Sequence, residues 1–478
     1  MRKHIMKYMA CLVMLLLTFA ACSPDSDASD PGSITNKTYT LHFNLSPVSG
    51  SSASSRAETY TAGSPNTWED GSKEENMKSW TVVFVKSSDG TVAKVVKQPS
   101  VAEGKDKEDD VTVTGLEAGT YSVYSFANIS DAELGPIAEG SPSPDFDSQS
   151  FAINGNDMDI KANGIPMSNK QTVTIRSDGQ PNVEKLYVVR MLSKITLKFR
   201  NMTGGDITVN NVRISDITSN PATGTGNIML LPKTSVSSAN VAQTPNLVEN
   251  AKSDDFTHTI TSGLTIAKNT TDYDTDNSRS VSFYVNESQA GNAYPYFVVT
   301  LETSVGSQRY FMYTDWNQIA RNDHHVLKLA LSDYKLRLKV EDFGSIGSAP
   351  SLKDDGKQLN LIFHDLEEFH IIPSVTKYSD GSSVSFTDLE WKRLSESETG
   401  AESKAFLIPP YIVSSKDRIE AETLGELGKK IGPIIYQLSV KVNDGVDSPT
   451  LVYRVAISQD LTWYSARRHN GAFWICKQ

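Results

Sequence analysis

The stretch that decides the fold is Thr38-Tyr-Thr-Leu-His-Phe-Asn-Leu45. Tyr39, Leu41, Phe43 and Leu45 alternate with Thr38, Thr40, His42 and Asn44, the period-two pattern of a strand with one buried face. The link that follows, Ser46 to Ala57, holds Pro47, Gly50 and six serines around a lone Arg56. Such a composition predicts an exposed connection that a protease reaches readily.

Downstream the same period recurs. Thr81-Val-Val-Phe-Val-Lys86, a Ser87-Ser-Asp-Gly90 turn and Val92–Val96 read as a β-hairpin. Residues 103–110 read as a charged loop, after which Val111, Val113 and Leu116 lead through Gly119 into a strand carrying Tyr121, Val123, Tyr124 and Phe126. One helical turn is expected within 131–138. Further strands are expected at 172–176, 187–200, 207–217, 280–286, 296–303, 309–314 and 326–331, with 233–279 as a polar surface insertion holding one short hairpin. Small residues and Pro350 across 342–350, after a strand at 336–340, mark a boundary. Beyond it strands are expected at 359–363, 369–372, 384–386, 434–442 and 451–457, with a helix over 416–430. The expected class is all-β: consecutive sandwiches followed by an Ig-like C-terminal β domain.

Upstream, Arg2, Lys3, His4 and Lys7 precede the apolar run Met9–Ala21, which ends at Cys22. That is the make-up of a secretory signal. Ala20 and Ala21 before Cys22, with a polar stretch after it, resemble a bacterial lipoprotein signal whose cysteine becomes the lipidated (palmitate-bearing) first residue; Phe19 stands where leucine is usual. The alternative is a plain signal peptide with an incidental cysteine. Of the three cysteines, Cys11 leaves with the signal and Cys22 would carry lipid, which leaves Cys476 no partner for an intramolecular disulfide. Beside Phe473, Trp474 and Ile475 it reads as a buried apolar cysteine, with a reactive thiol or an intermolecular link as the alternatives.

Composition narrows the function. With 46 basic and 57 acidic residues the net charge is −11, spread along the chain, which argues against nucleic acid as a partner. Asp272, Asp274 and Asp276 have the spacing that opens an EF-hand loop, but Asn277 stands where the glycine belongs and Phe283 where the bidentate glutamate belongs. A solvated acidic loop is expected. His364 and His370 lack the i, i+4 pairing of a zinc helix, and the adjacent His324 and His325 point to opposite faces of a strand. Gly224-Thr-Gly226 is too short for a dinucleotide fingerprint. Nothing here asks for a metal, a cofactor or an enzyme.

Several scattered segments together resemble the fimbrillin superfamily of Bacteroidales, the FimA/Mfa-type subunits of surface fimbriae. They are Ser54-Ser-Arg56-Ala57, the strand Gly119–Asn128, the turn Gly164-Ile-Pro-Met-Ser168, the strand Val189–Asn201 and the stretch Ala320–Lys328. The resemblance spans about residues 37–340. It implies two transthyretin-like β-sandwich domains, at 57–185 and 186–345, after a signal at 1–22 and a propeptide at 23–56; the chain then adds a β domain at 346–478. It also implies a lipoprotein delivered to the outer membrane through Cys22, cut by an Arg-specific protease between Arg56 and Ala57, and joined to other fimbrial subunits by strand exchange. On that reading Tyr39, Leu41, Phe43 and Leu45 form a removable strand. The added C-terminal domain suits a tip subunit that meets a host or bacterial surface ligand. A stalk fimbrillin donating 451–457 or 461–475, and a surface glycan-binding lipoprotein using Trp316, Trp391 or Trp463, are the alternatives.

Overall fold

In the computed structural model of the chain, the residues described are 37–48, 75–102, 107–152, 163–219, 228–238, 243–273, 278–290, 296–312, 318–343, 350–354, 358–443, 448–462, 464–469 and 472–477, the last two as backbone only. They are almost entirely β, as expected. Eight strands open the chain: β1 (Thr38–Pro47), β2 (Trp80–Lys86), β3 (Val92–Gln98), β4 (Glu108–Glu117), β5 (Gly119–Ala127), β6 (Ser150–Phe151), β7 (Met167–Ile175) and β8 (Asn182–Arg190). All but β6 lie in one sheet, in the order β3-β2-β5-β7-β8-β1-β4. Its two halves are joined as strands through two residue pairs of β7 and β8, Met167↔Arg190 and Ser168↔Val189. The halves therefore fold over one another like a sandwich, around a core that takes Leu41 and Phe43 from one side and Val82 and Phe84 from the other.

Local chemistry fixes the connections. The β2–β3 hairpin turns at Gly90, whose φ of +73° suits glycine, and Asp89 Oδ1 accepts the Thr91 N–H at 2.9 Å. The expected helical turn is α1 (Asp131–Leu134), started by a capping box in which Ser130 and Glu133 bond each other's backbone N–H. The charged stretch before Val111 is partly strand, because β4 begins at Glu108 and is an edge strand whose outward side chains stay wet.

The next ten strands are β9 (Leu192–Asn201), β10 (Ile207–Thr218), β11 (Ile228–Met229), β12 (Ser253–Ile266), β13 (Ser280–Asn286), β14 (Ser288–Gln289), β15 (Phe297–Thr303), β16 (Gly306–Met312), β17 (Gln318–Ile319) and β18 (His324–Leu331). Sheets β12-β10-β15-β16 and β13-β9-β18 enclose a second core that includes Leu197, Phe199, Phe297 and Leu329. The polar insertion expected at 233–279 instead contains the long strand β12, paired along β10. Ser262 and Gly263, both at positive φ, bulge it and break the alternation that would have shown it in sequence. A separate cluster joins the two sandwiches: Val83, Tyr124 and Phe126 on the outer face of the first sheet pack with Met191, Leu230 and Tyr284.

The remaining strands are β19 (Tyr334–Asp342), β20 (Ser351–Asp354), β21 (Leu359–Phe363), β22 (Glu368–Lys377), β23 (Ser383–Val384), β24 (Phe386–Glu396), β25 (Phe406–Ile412), β26 (Ile419–Thr423), β27 (Lys430–Val442), β28 (Thr450–Asp460), β29 (Tyr464–His469) and β30 (Ala472–Lys477). Sheets β19-β22-β26-β25 and β20-β21-β28-β27-β24 close on a third core. The strand at 336–340, expected before the boundary at 345, lies in β19, which pairs with β22 from Tyr334↔Lys377 to Asp342↔Phe369 and so sits in the third sheet pair. The helix expected over 416–430 is replaced by β26: Ile419, Ala421 and Thr423 face inward while Glu420 and Glu422 face out. Short length and outward charge hide that period from a helix-length window. Arg454 of β28 is buried over Phe311 and Tyr296, at 4.6 and 5.3 Å, which fastens the third unit to the second.

Candidate functional site

β1 is an interior strand. It runs antiparallel to β4, with Tyr39 opposite Leu116 and Phe43 opposite Val111. It runs parallel to β8 from Leu41↔Asn182 to Pro47↔Val188. Leu41, Phe43 and Leu45 are wholly buried, and Tyr39 is half-buried at the strand's start. The Phe43 ring meets Trp80 edge-on at 6.1 Å and Phe84 at 6.3 Å. Each of the three buried side chains stabilises the sandwich by about 1.5–3 kcal/mol. On the outer face His42 Nδ1 is 2.9 Å from Asp110 Oδ1, and Asn44 Oδ1 accepts the Asp110 N–H at 2.9 Å.

Two consequences follow from this position. A chain without β1 would have an apolar slot lined on both sides by unpaired backbone, so an occupant is templated by two ladders at once. And β4 has no strand partner other than β1 among the described residues, so whatever loosens β1 also loosens β4.

At its C-terminal end β1 runs into a buried polar cluster. Val48 is buried beside Val189 and Val236, and its N–H donates to Val188 O at 2.9 Å. Its carbonyl accepts from Arg190 Nη1 at 3.2 Å and Asn322 Nδ2 at 3.3 Å. The same guanidinium donates through Nε and Nη2 to Glu75 O, at 3.3 and 3.2 Å. The Glu75 carboxylate in turn accepts from Lys194 Nζ and from the Tyr284 hydroxyl, each at 2.7 Å. One arginine thus holds both residues that bracket 49–74, the segment containing Arg56.

Neighbouring groups secure the chain just beyond Glu75. Asn128, at φ +57°, accepts the Lys78 N–H at 2.6 Å and the Ser79 N–H at 3.3 Å, and donates to Asn76 O and Ile165 O at 2.9 Å each. Gly164 is required there, since a Cβ on it would lie 2.4 Å from Asn128 Nδ2. Arg321 is buried in an ion pair with Glu287 and donates to the carbonyls of Met229 and Leu230. At the far end of the slot the Tyr121 hydroxyl donates to Glu117 O at 2.8 Å, and burial pushes its pKa up.

Residues 40–230 match the model of the major fimbrial subunit protein family, FimA. Over this segment the chain is similar to the FimA-type fimbrial subunits. It is similar to the tip fimbrial protein Mfa3 of Porphyromonas gingivalis with C-terminal truncation, at 12% identity over 71% of this chain and 100% of that one, TM-score 0.35. It is also similar to a fimbrial assembly protein of Parabacteroides distasonis, at 11% identity over 73% and 98%, TM-score 0.30. The fimbrial anchor protein Mfa2 of P. gingivalis matches at 10% identity over 72% and 99%, TM-score 0.26. These superpositions are loose. No curated protein matches the sequence significantly.

In this chain the four described segments that carry the resemblance converge on one place. Asn128 ends the first of them; Gly164 and Ile165 come from the second, Arg190 and Lys194 from the third, and Arg321 and Asn322 from the fourth. Sequence reasoning quoted these segments without finding their task, and missed Val48 and Glu75 by reading 46–57 and the passage after it as loose chain. A usable signal was present: Arg190 and Lys194 interrupt a run that otherwise reads as buried on both faces. Cys22, Arg56, Ala57, Trp316, Asp274 and Asp276, and the side chains of Trp463 and Cys476, lie outside the described residues. Phe283 is a core residue of β13 stacked on Phe256 at 5.5 Å. Trp391 is half-buried and stacked on Tyr436 at 4.8 Å. His364 bonds Ser351 at 3.0 Å, and His370 lies 3.3 Å from Glu368.

Proposed function

We propose that this protein is a structural subunit of surface fimbriae, exported as an outer-membrane lipoprotein anchored at Cys22. An Arg-specific protease cuts it after Arg56, and a strand from another subunit then takes the place of β1. The observation that carries the reading is the position of β1 and Val48: a core-filling strand, hydrogen-bonded on both sides, joined to the rest of the chain only through the segment that holds Arg56. The cut separates strand and lipid from the body together, because Cys22 and β1 lie on the same side of Arg56.

A place at the fimbrium tip, where the added C-terminal unit would meet a surface ligand, is the assignment we favour over a stalk. Of the two donor segments considered, 451–457 lies in β28, held between β21 and β27 with Val455, Ala456 and Ile457 buried, which makes it a poor strand to give away. The organisation proposed is a signal at 1–22, a propeptide at 23–56 and sandwiches at 57–185 and from 186, with the third unit starting near Tyr334. N-terminal sequencing of the surface-assembled form should begin at Ala57. Limited trypsin treatment should give oligomers that resist sodium dodecyl sulfate, and Arg56→Ala should abolish them; unchanged assembly of that variant would refute the mechanism.

A further inference from the structure

We propose that Arg190 and Asn322 form a register stop: a site that takes one backbone carbonyl at the C-terminal end of whichever strand fills the slot between β4 and β8. The occupant is an extended peptide segment with alternating apolar residues that ends in a small β-branched one. The inference rests on the exchange reading above and adds what that reading lacks, a device that fixes where the incoming strand stops.

Such a device is useful because one side of the slot is periodic. The ladder to β8 runs unbroken from Leu41 to Pro47, so on that side a strand slipped by two keeps its apolar face inward and its backbone paired, whereas the ladder to β4 is broken between Tyr39 and Leu41 and between Phe43 and Leu45. Beyond those breaks, a feature at the strand's end that does not repeat separates the registers. Val48 supplies one. Two side-chain donors from different sandwiches, Arg190 Nη1 and Asn322 Nδ2, converge on its carbonyl at 3.2 and 3.3 Å, while its side chain fills the small pocket at Val189 and Val236.

The stop is also built to outlast β1. Arg190 Nη1 lies 3.3 Å from Asn322 Oδ1, and Nε and Nη2 are anchored on Glu75 O. Glu75 is itself held by Lys194 and Tyr284. All of these residues follow Arg56 in sequence, so the donors keep their anchors after a cut there. A slipped occupant would forgo both bonds to the Val48 carbonyl and lose the fit of its side chain against Val189 and Val236, which is unfavourable.

The test uses the full chain cut at Arg56, in a Cys476→Ser background, with its own strand chased out by amidated peptides of the β1 sequence. One peptide spans Lys37–Val48 and the other Lys37–Ser46. His42 faces Val183 across the β1–β8 ladder, and Val183 is exposed, so Val183→Cys reports register by disulfide formation with a cysteine at peptide position 40, 42 or 44. The longer peptide should crosslink through position 42 alone. The shorter one, or the longer one on an Asn322→Leu or Arg190→Met protein, should bind at least about tenfold more weakly, equivalent to about 1.4 kcal/mol, and crosslink through 40 and 44 as well. Equal affinity and a single register for both peptides would overturn the register stop and leave exchange standing. Failure of both to bind would overturn exchange and the stop together. The truncated peptide leaves the protein untouched, so a folding defect in the Arg190 or Asn322 variant cannot mask the answer.

Discussion

Replacing Phe43 by alanine isolates the grip of the slot on its strand. Phe43 has no exposed surface, and it is the residue of β1 that meets both Trp80 and Phe84. A core Phe→Ala change removes about 3–5 kcal/mol, from lost burial together with the cavity left behind. At about 1.4 kcal/mol per decade, the cut N-terminal fragment should be retained roughly 150-fold to several thousand-fold less tightly. The protein is cut with an Arg-directed protease, diluted, and the fragment's departure followed by gel filtration and intact mass. Hydrogen exchange on the same samples should show β4 amides, such as those of Val111 and Val113, opening together with β1, because among the described residues β4 is paired with no other strand. Thr40→Ala, at an exposed position of the same strand, serves as the control and should change retention by less than about 0.5 kcal/mol. If the Phe43→Ala fragment stays bound as firmly as the natural one, or Thr40→Ala releases it equally, the slot is not what holds β1.

Two further outcomes are expected. The Lys194–Glu75 pair is buried, with side chains 10% and 5% exposed, so Lys194→Met or Glu75→Leu alone should lower unfolding stability by about 3–5 kcal/mol in urea, while the double variant recovers much of the loss; a single variant as stable as the parent would contradict the cluster's role. Stability should also fall as pH rises from about 10 to about 12. Burial, aided by a hydrogen bond to Asp354, pushes the Tyr453 hydroxyl up to about 12 from an ordinary value of about 10. In that window the unfolded chain releases a proton the folded chain retains, so deprotonation favours unfolding. Burial shifts Tyr310 and Tyr436 in the same direction. Tyr453→Phe should flatten the alkaline loss, and an unchanged slope would refute the assignment.

Much of the first sandwich was legible in sequence because period-two alternation is a local property. Tyr39 to Leu45, the β2–β3 hairpin and the strand through Tyr121 to Phe126 each announce their buried face within a few residues. Where local signals are broken the sequence misleads: Ser262 and Gly263 bulge β12, and Glu420 and Glu422 cover the outer face of β26. The join after the second sandwich was misplaced because a strand's period says nothing of its partner, and β19 takes β22.

By itself the sequence determined that this is an all-β chain with an apolar run ending at Cys22 and an apolar strand just before a lone arginine in a serine-rich link. These follow from composition and spacing, which need no tertiary contact to be read. Only the tertiary structure decided that β1 lies between two partners, that β4 hangs from it, and that Val48, Glu75, Arg190, Lys194 and Asn322 meet. The hydrogen bonds among those five join residues up to 274 positions apart, and which buried charge finds which carbonyl is settled by packing, not by sequence distance.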